Sequence, residues 1–196
     1  RSMQRILDAA AGVFGQSGYN KATLLDVARA AGVSKGLLHY HFQSKEQLLI
    51  EAQRATFKRI AARIETRVRQ SDQGLHMGLE ALDTLWESVL EMRDWAPFML
   101  ETLSMGTQNE ATRSQLDRFY RESMDLLEKS LVQVFGDEVD RLMLPPARLA
   151  FLIRTTLEGL IVELAFSKTE QDIQQVEVAY QDFRMLFENV ILKEAP

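Results

Sequence analysis

Residues 23–47 read Thr23-Leu24-Leu25-Asp26-Val27-Ala28-Arg29-Ala30-Ala31-Gly32-Val33-Ser34-Lys35-Gly36-Leu37-Leu38-His39-Tyr40-His41-Phe42-Gln43-Ser44-Lys45-Glu46-Gln47. Thr23 followed three residues later by Asp26 approximates a capping box, with Asp standing where Glu or Gln is usual. It opens a short helix whose buried face is Val27, Ala28 and Ala31. Gly32 closes that helix, because a residue without Cβ accepts the positive φ of a tight turn. Ser34 caps a second short helix over about 35–42. Ser44-Lys45-Glu46-Gln47 is a full capping box and opens a longer helix that can reach Gln70. Two short helices joined by a tight turn form a helix-turn-helix. Ala28 and Ala31 let the two backbones cross closely, and Val33 and Leu38 fill the crossing from the far side.

The second short helix has two faces. Leu38 and Phe42 lie one turn apart and point inward, whereas Lys35, Gly36, His39 and Tyr40 gather on the opposite side. A recognition helix enters the major groove with its N-terminal end leading. Gly36 allows the backbone close to a duplex, and Lys35 can reach a phosphate or a guanine edge. His39, Tyr40 and His41 offer donors to bases or phosphates. Lys45, at the start of the next helix, makes a phosphate clamp with the exposed N–H groups there. Thr23 can hold the phosphate on the other side.

Outside this stretch the helical period dominates. A first helix over about 3–17 carries the stripe Ile6, Leu7, Ala10, Val13 and Phe14 and ends at Gly18. Further helices are expected near 73–92, 95–105, 110–135, 146–167 and 172–193, with Gly136 ending the long middle one and Pro145-Pro146 opening the next. The expected fold is all-α: a head over 1–45 that contains the helix-turn-helix, and a helical body over 46–196. Charge divides in the same sense. Residues 1–60 carry nine Lys or Arg against four Asp or Glu, while the other 136 carry 14 against 24. A basic head suits phosphate neutralisation, and an acidic body keeps clear of it. The chain has no cysteine, which excludes disulfides, thiolate metal sites and cysteine nucleophiles. No apolar run approaches the roughly 20 residues of a membrane span, and the N-terminal apolar patch carries Asp8 at helical spacing, unlike a signal peptide. A cytoplasmic protein without a membrane partner is expected.

Residues 3–50 resemble the DNA-binding domain of the TetR family of repressors. The matching stretches are Ile6-Leu7-Asp8-Ala9-Ala10, Phe14, Gly18-Tyr19, Thr23, Asp26-Val27-Ala28, Ala31-Gly32-Val33-Ser34-Lys35-Gly36, Leu38, Tyr40-His41-Phe42, Ser44-Lys45-Glu46 and Leu48-Leu49. The resemblance implies a three-helix DNA-binding domain over 1–45, a helical-bundle ligand-binding and dimerisation domain over 46–196, and a ligand-responsive repressor that binds a palindromic operator in double-stranded DNA. It implies a homodimer held by the last two long helices, about 146–167 and 172–193, and a small-molecule effector that moves the fourth helix and so respaces the two heads. Carried over by position, the DNA-contacting residues are Thr23, Lys35, Gly36, Leu37, His39, Tyr40, His41 and Lys45. Two positions depart from the family: Leu24 stands where Thr or Ser is usual, and His39 where Tyr is common.

Ligand contacts in the body are expected from its aromatic and methionine residues Trp86, Trp95, Phe98, Met99, Met105, Phe119, Met124 and Phe151, with Leu90 beside them. Such side chains line adaptable apolar pockets and equally well fill a core. Arg154, Thr155 and Glu158 add polar groups to an otherwise apolar helix. Arg154 and Glu158, one turn apart, can pair with each other, face a partner subunit or meet a polar group of a ligand. The expected effector is mostly apolar with one or two polar handles. No cofactor or metal is expected. His39 and His41 diverge on a helix, His76 and Glu80 supply only two ligands, and no glycine-rich phosphate loop is present. An enzyme, or a helical interaction module whose head has lost DNA binding, are the alternatives.

Overall fold

The computed structural model describes residues 2–17, 21–68, 73–91, 93 and 96–193. Among these the helices are α1 Ser2–Ser17, α2 Leu24–Ala30, α3 Lys35–His41, α4 Lys45–Val68, α5 Leu75–Glu91, α6 Ala96–Gln108, α7 Glu110–Phe135, α8 Pro146–Phe166 and α9 Glu170–Val190. A 3-10 helix, Gly136–Arg141, follows α7. Extended pairing among the described residues is confined to one bridge between Leu142 and Leu192, so the all-α class is the one observed. Helix boundaries fall within a few residues of those expected; the largest extension is at the end of α6. Gly18 and Gln70, expected as helix ends, and Trp95 lie outside the described residues.

Compactness divides the chain into two units, Arg1–Phe57 with Asp94–Arg121 and Lys58–Arg93 with Glu122–Pro196. This cut differs from a linear division at residue 45, because α4 and α7 contribute to both units. In the first unit Ile6, Leu7, Ala10 and Phe14 of α1 meet Val27 and Ala28 of α2, Leu38 of α3, and Phe42, Leu48, Leu49 and Ala52, with Met105 of α6 packed against them. Ile50, Leu116 and Phe119 form a second cluster there. Phe57 meets Phe119 edge to face at 5.3 Å. Glu51 pairs with Arg54 on its own helix and lies 3.9 Å from Arg118.

The second unit is a helical body around Met77, Leu82, Val134, Phe135, Ile153, Leu157 and Tyr180. The long α7 ends at Gly136, whose φ is +49°. Its last carbonyls are satisfied from elsewhere in the chain: Gly74 N donates to Val134 O at 2.8 Å, and Gln73 Nε2 to Gln133 O at 2.8 Å. The α5–α9 contact carries a polar lock. Tyr180 is buried and stacks on Trp86 at 4.6 Å. Its hydroxyl donates to Asp83 Oδ1 at 2.6 Å, and Arg184 Nε donates to the same carboxylate at 2.9 Å. Burial and the neighbouring Asp83 carboxylate hold the phenol protonated well above its ordinary range.

Removing the acceptor strands the Tyr180 phenol and leaves the Arg184 guanidinium only Glu188, 3.7 Å away, whereas removing the hydroxyl leaves the Asp83–Arg184 pair in place. Asp83→Ala is therefore expected to cost about 2 kcal/mol in denaturant unfolding and Tyr180→Phe about 1 kcal/mol. Equal losses would show that the carboxylate is not shared.

Candidate nucleic-acid interface

The geometry of the head follows from its turn. α2 ends in a paired hydrogen-bond pattern: Val33 N donates to Ala28 O at 3.0 Å and Gly32 N to Arg29 O at 3.1 Å. This is the Schellman arrangement, and it requires a left-handed residue just past the cap. Gly32 supplies it at φ +61°. Ser34 then starts α3, its Oγ accepting from Leu37 N at 3.1 Å. With both ends fixed, Leu38 and Phe42 are completely buried and anchor α3 from behind.

The opposite face is open. Lys35, Gly36, His39 and Tyr40 are exposed, Leu37 and His41 half-buried. Tyr40 is 83% exposed, a high value for a large aromatic, and stands edge to face with His41 at 5.3 Å. Gly36 has no structural reason within the chain. A Cβ built there meets only Ser34 Oγ, at 4.0 Å, and its φ is not positive. A glycine in a helix costs stability against alanine, so its use is best explained by something outside the protein that must come close.

Thr23 and Lys45, 22 positions apart in sequence, are brought to one place. The Lys45 ammonium donates to Ala22 O at 3.1 Å, one residue before Thr23. Thr23 itself is committed to its cap: Asp26 N donates to its Oγ1 at 3.2 Å, and both the hydroxyl and Thr23 N donate to Asp26 Oδ2, at 2.6 and 3.0 Å. These bonds from Thr23 hold the Asp26 carboxyl below the usual carboxylate range. The capping box expected with Asp in the Glu position thus forms in full. That at Ser44 forms differently. Ser44 Oγ accepts from Gln47 N at 3.1 Å, but Gln47 Oε1 accepts from Gln43 N at 2.8 Å, one residue earlier than the reciprocal bond of a capping box.

The residues expected to contact a ligand do not gather in one place among the described residues. Trp86 is stacked on Tyr180, and Leu90 and Met124 pack around the body core. Met105 and Phe119 belong to the clusters of the first unit, and Met99, half-buried, lies in its α6. Phe151 is exposed on the outer side of α8. Trp95 and the Phe98 side chain lie outside the described residues. Of the alternatives for Arg154 and Glu158, the structure shows mutual pairing: Arg154 Nη1 lies 2.7 and 2.6 Å from the two carboxylate oxygens, and its guanidinium is 5.1 Å above the Phe151 ring. Thr155 Oγ1 donates to its own helix at Phe151 O. The body does hold an apolar void of about 20 Å³ lined by Ile64, Gly78, Ala81, Leu85, Leu127 and Ile153, among others. Reading by aromatic and methionine content passes over it, because its walls are mostly aliphatic, with Phe187 the aromatic residue among them. The available signal was the small pair Gly78 and Ala81 on the buried face of α5.

Residues 6–52 match the family model of bacterial regulatory proteins, tetR family. The chain is 26% identical over 148 residues to the HTH-type transcriptional regulator YuxN of Bacillus subtilis (strain 168), covering 76% of this chain and 50% of that protein. It spans about half or less of the length of the curated relatives it matches. A TetR-family transcriptional regulator structure from Rhodococcus sp. superposes with a TM-score of 0.69 at 25% identity, covering 97% of this chain and 100% of the other. The transcriptional regulator FadR of Bacillus subtilis, in complex with stearoyl-CoA, shares the fold with a TM-score of 0.69 at 16% identity over 96% and 98% of the two chains.

Since, among the described residues, only Ser34 Oγ comes within 4.0 Å of a Cβ at Gly36, Gly36→Ala is expected to leave stability unchanged or raise it by up to about 0.5 kcal/mol. The same change is expected to weaken duplex binding at least about tenfold, roughly the worth of one good base contact. Unfolding curves and fluorescence anisotropy on labelled DNA check the two halves. Unaltered DNA binding would remove α3 from the groove.

Proposed function

We propose that the chain, whose residues 6–52 match the tetR family of bacterial regulatory proteins, is a TetR-family, ligand-responsive repressor that grips a palindromic operator as a dimer. The observation that carries this reading is α3: an exposed face of Lys35, Gly36, His39 and Tyr40, fixed from behind by Leu38 and Phe42. Lys35 and His39 read base edges, with Gly36 and Leu37 in close approach. Tyr40, His41, Thr23 and Lys45 hold the phosphates on either side. The Ala22 carbonyl supports Lys45 in this role by steering its ammonium to the start of α2. Two heads related by a two-fold axis require half-sites near one duplex turn apart, roughly 34–36 Å, or a multiple.

A dimer is supported by the outer faces of α8 and α9. On α8, Leu149, Ile153, Leu157, Leu160 and Leu164 are buried in the body. The opposite side presents Phe151, Leu152 and Phe166, the last 70% exposed. On α9, Val178, Met185, Leu186 and Val190 are exposed together. Paired apolar helix faces of this extent mark an interface, and a second copy of the chain covers them in this reading. Gly159 sits on the open side of α8, and a Cβ there would meet nothing within 4 Å. As at Gly36, the missing side chain makes room for something beyond the chain, here the partner's helix.

The effector in this reading is a small, mostly apolar molecule received by the body. The mostly apolar walls around the α5 void support it, as does the shared fold with a regulator that binds stearoyl-CoA. Binding there repositions α4, which runs from the DNA-binding head into the body core, and the operator is released.

Titration of operator against salt tests the DNA half. Lys45→Ala is expected to weaken all sequences alike and to flatten the log–log salt slope by about one for each phosphate left without its cation, whereas Lys35→Ala should change sequence preference. A Lys45→Ala change that shifts preference instead would reverse these assignments. Gly159→Leu should push the sedimentation equilibrium toward monomer without lowering monomer stability; a dimer of undiminished affinity would place the interface elsewhere.

A further inference from the structure

We propose that the effector is an amphipathic anion, an apolar chain ending in a carboxylate, and that Arg67 is the residue that recognises its charge. The inference rests on the reading of the body as an effector domain and names the chemistry of its ligand. The void is walled by residues of α4, α5, α7, α8 and α9, and Ser130 brings its one hydroxyl. Its remaining walls are hydrocarbon, so a ligand seated there is held by apolar burial. At about 20 Å³ it holds no more than a water as it stands. An incoming chain must therefore part the Leu85, Leu127 and Leu131 side chains that close it.

The polar end is set at the edge of the same walls. Arg67 follows Ile64 by one turn on α4, and Thr84 stands between Ala81 and Leu85 on α5; Ile64, Ala81 and Leu85 all line the void. Arg67 Nη1 donates to Thr84 Oγ1, and Thr84 is itself buried. That hydroxyl in turn donates to Glu80 O at 2.8 Å. Arg67 thus reaches into the α4–α5 seam for a neutral acceptor, although a guanidinium has five N–H donors matched to a bidentate carboxylate. Among the described residues no carboxylate lies within ion-pair distance of it. One turn away, Arg63 has Glu91 as its partner at 3.9 Å. The cation anchored beside the void is therefore Arg67, and a carboxylate arriving with an apolar chain takes the place that Glu91 takes for Arg63. Arg67 is exposed, so its remaining N–H groups are open to an arriving ligand; Arg154 and Arg184, the alternative cations, are engaged by Glu158 and by Asp83.

The test uses the full chain without DNA and three probes of one chain length: decanoate, 1-decanol and decyltrimethylammonium, followed by tryptophan fluorescence and thermal shift. Decanoate should bind roughly tenfold or more tightly than decanol, the worth of one charge-assisted pair, and the ammonium least. Arg67→Met, which keeps the stem, should reduce decanoate to the affinity of decanol and leave decanol unchanged, and Arg67→Lys should restore part of the preference. Equal binding of decanoate and decanol by the unmodified chain overturns the assignment of charge while leaving an apolar effector in place, and needs no variant to fold. Retention of the decanoate preference in Arg67→Met overturns the role of Arg67. Binding of none of the three overturns the effector site as well.

Discussion

The head depends on one backbone constraint, the left-handed turn at Gly32. With φ at +61°, the N–H groups of Gly32 and Val33 reach back to the carbonyls of Arg29 and Ala28, and the direction in which the chain leaves α2 is fixed. Ser34 caps α3 immediately afterwards, so no freedom remains between the two helices. Leu38 and Phe42 then have one place to go, the core made by α1, α2 and the start of α4. The exposed side of α3 is a consequence: once Leu38 and Phe42 are inside, helical periodicity puts Lys35, Gly36, His39 and Tyr40 outside.

Two glycines say something about surfaces that the buried ones do not. Gly78 is tightly enclosed; a Cβ there would lie 2.8 Å from the Phe135 ring, and its role is packing within the body. Gly36 and Gly159 each lie in a helix with open space where a side chain would be. Gly36 lies on the face of α3 proposed to meet DNA and Gly159 on the face of α8 proposed to meet a second copy, while Gly12 of α1 is open in the same way without a proposed role. Apolar exposure on α8 and α9 agrees with this, because Phe166 and Leu186 contribute nothing to the body's own core.

Polar pairs in the body divide by distance along the chain. Arg154 and Glu158, one turn apart on α8, find each other, and a short-range pair of this kind leaves neither free for a ligand. Asp83 is joined to Tyr180 and Arg184 across 97 and 101 positions, fixing α9 against α5. The aromatic stack of Trp86 on Tyr180 belongs to this lock. An aromatic side chain held on both its ring face and, through its partner, a buried hydrogen bond acts as framework, so Trp86 belongs to the lock, whereas Phe187 lines the void.

The sequence by itself determined what depends on near neighbours. Thr23 with Asp26, Ser34 and Gly32 mark helix ends through bonds spanning a few residues, and Gly136 through its own positive φ, so the all-α class, the helix-turn-helix and the inward turn of Leu38 and Phe42 were legible before any coordinates. So was the family resemblance, which lies in the same short stretch. Tertiary structure alone decided what depends on residues distant in sequence. It placed the Lys45 ammonium on the Ala22 carbonyl, turned Gln47 toward Gln43, and grouped α6 and the first half of α7 with the helices of the head. It left the void beside Gly78 and Ala81 rather than among the aromatic residues expected to line it. A void is where side chains from several helices fail to meet, and no local pattern records how five helices approach one another.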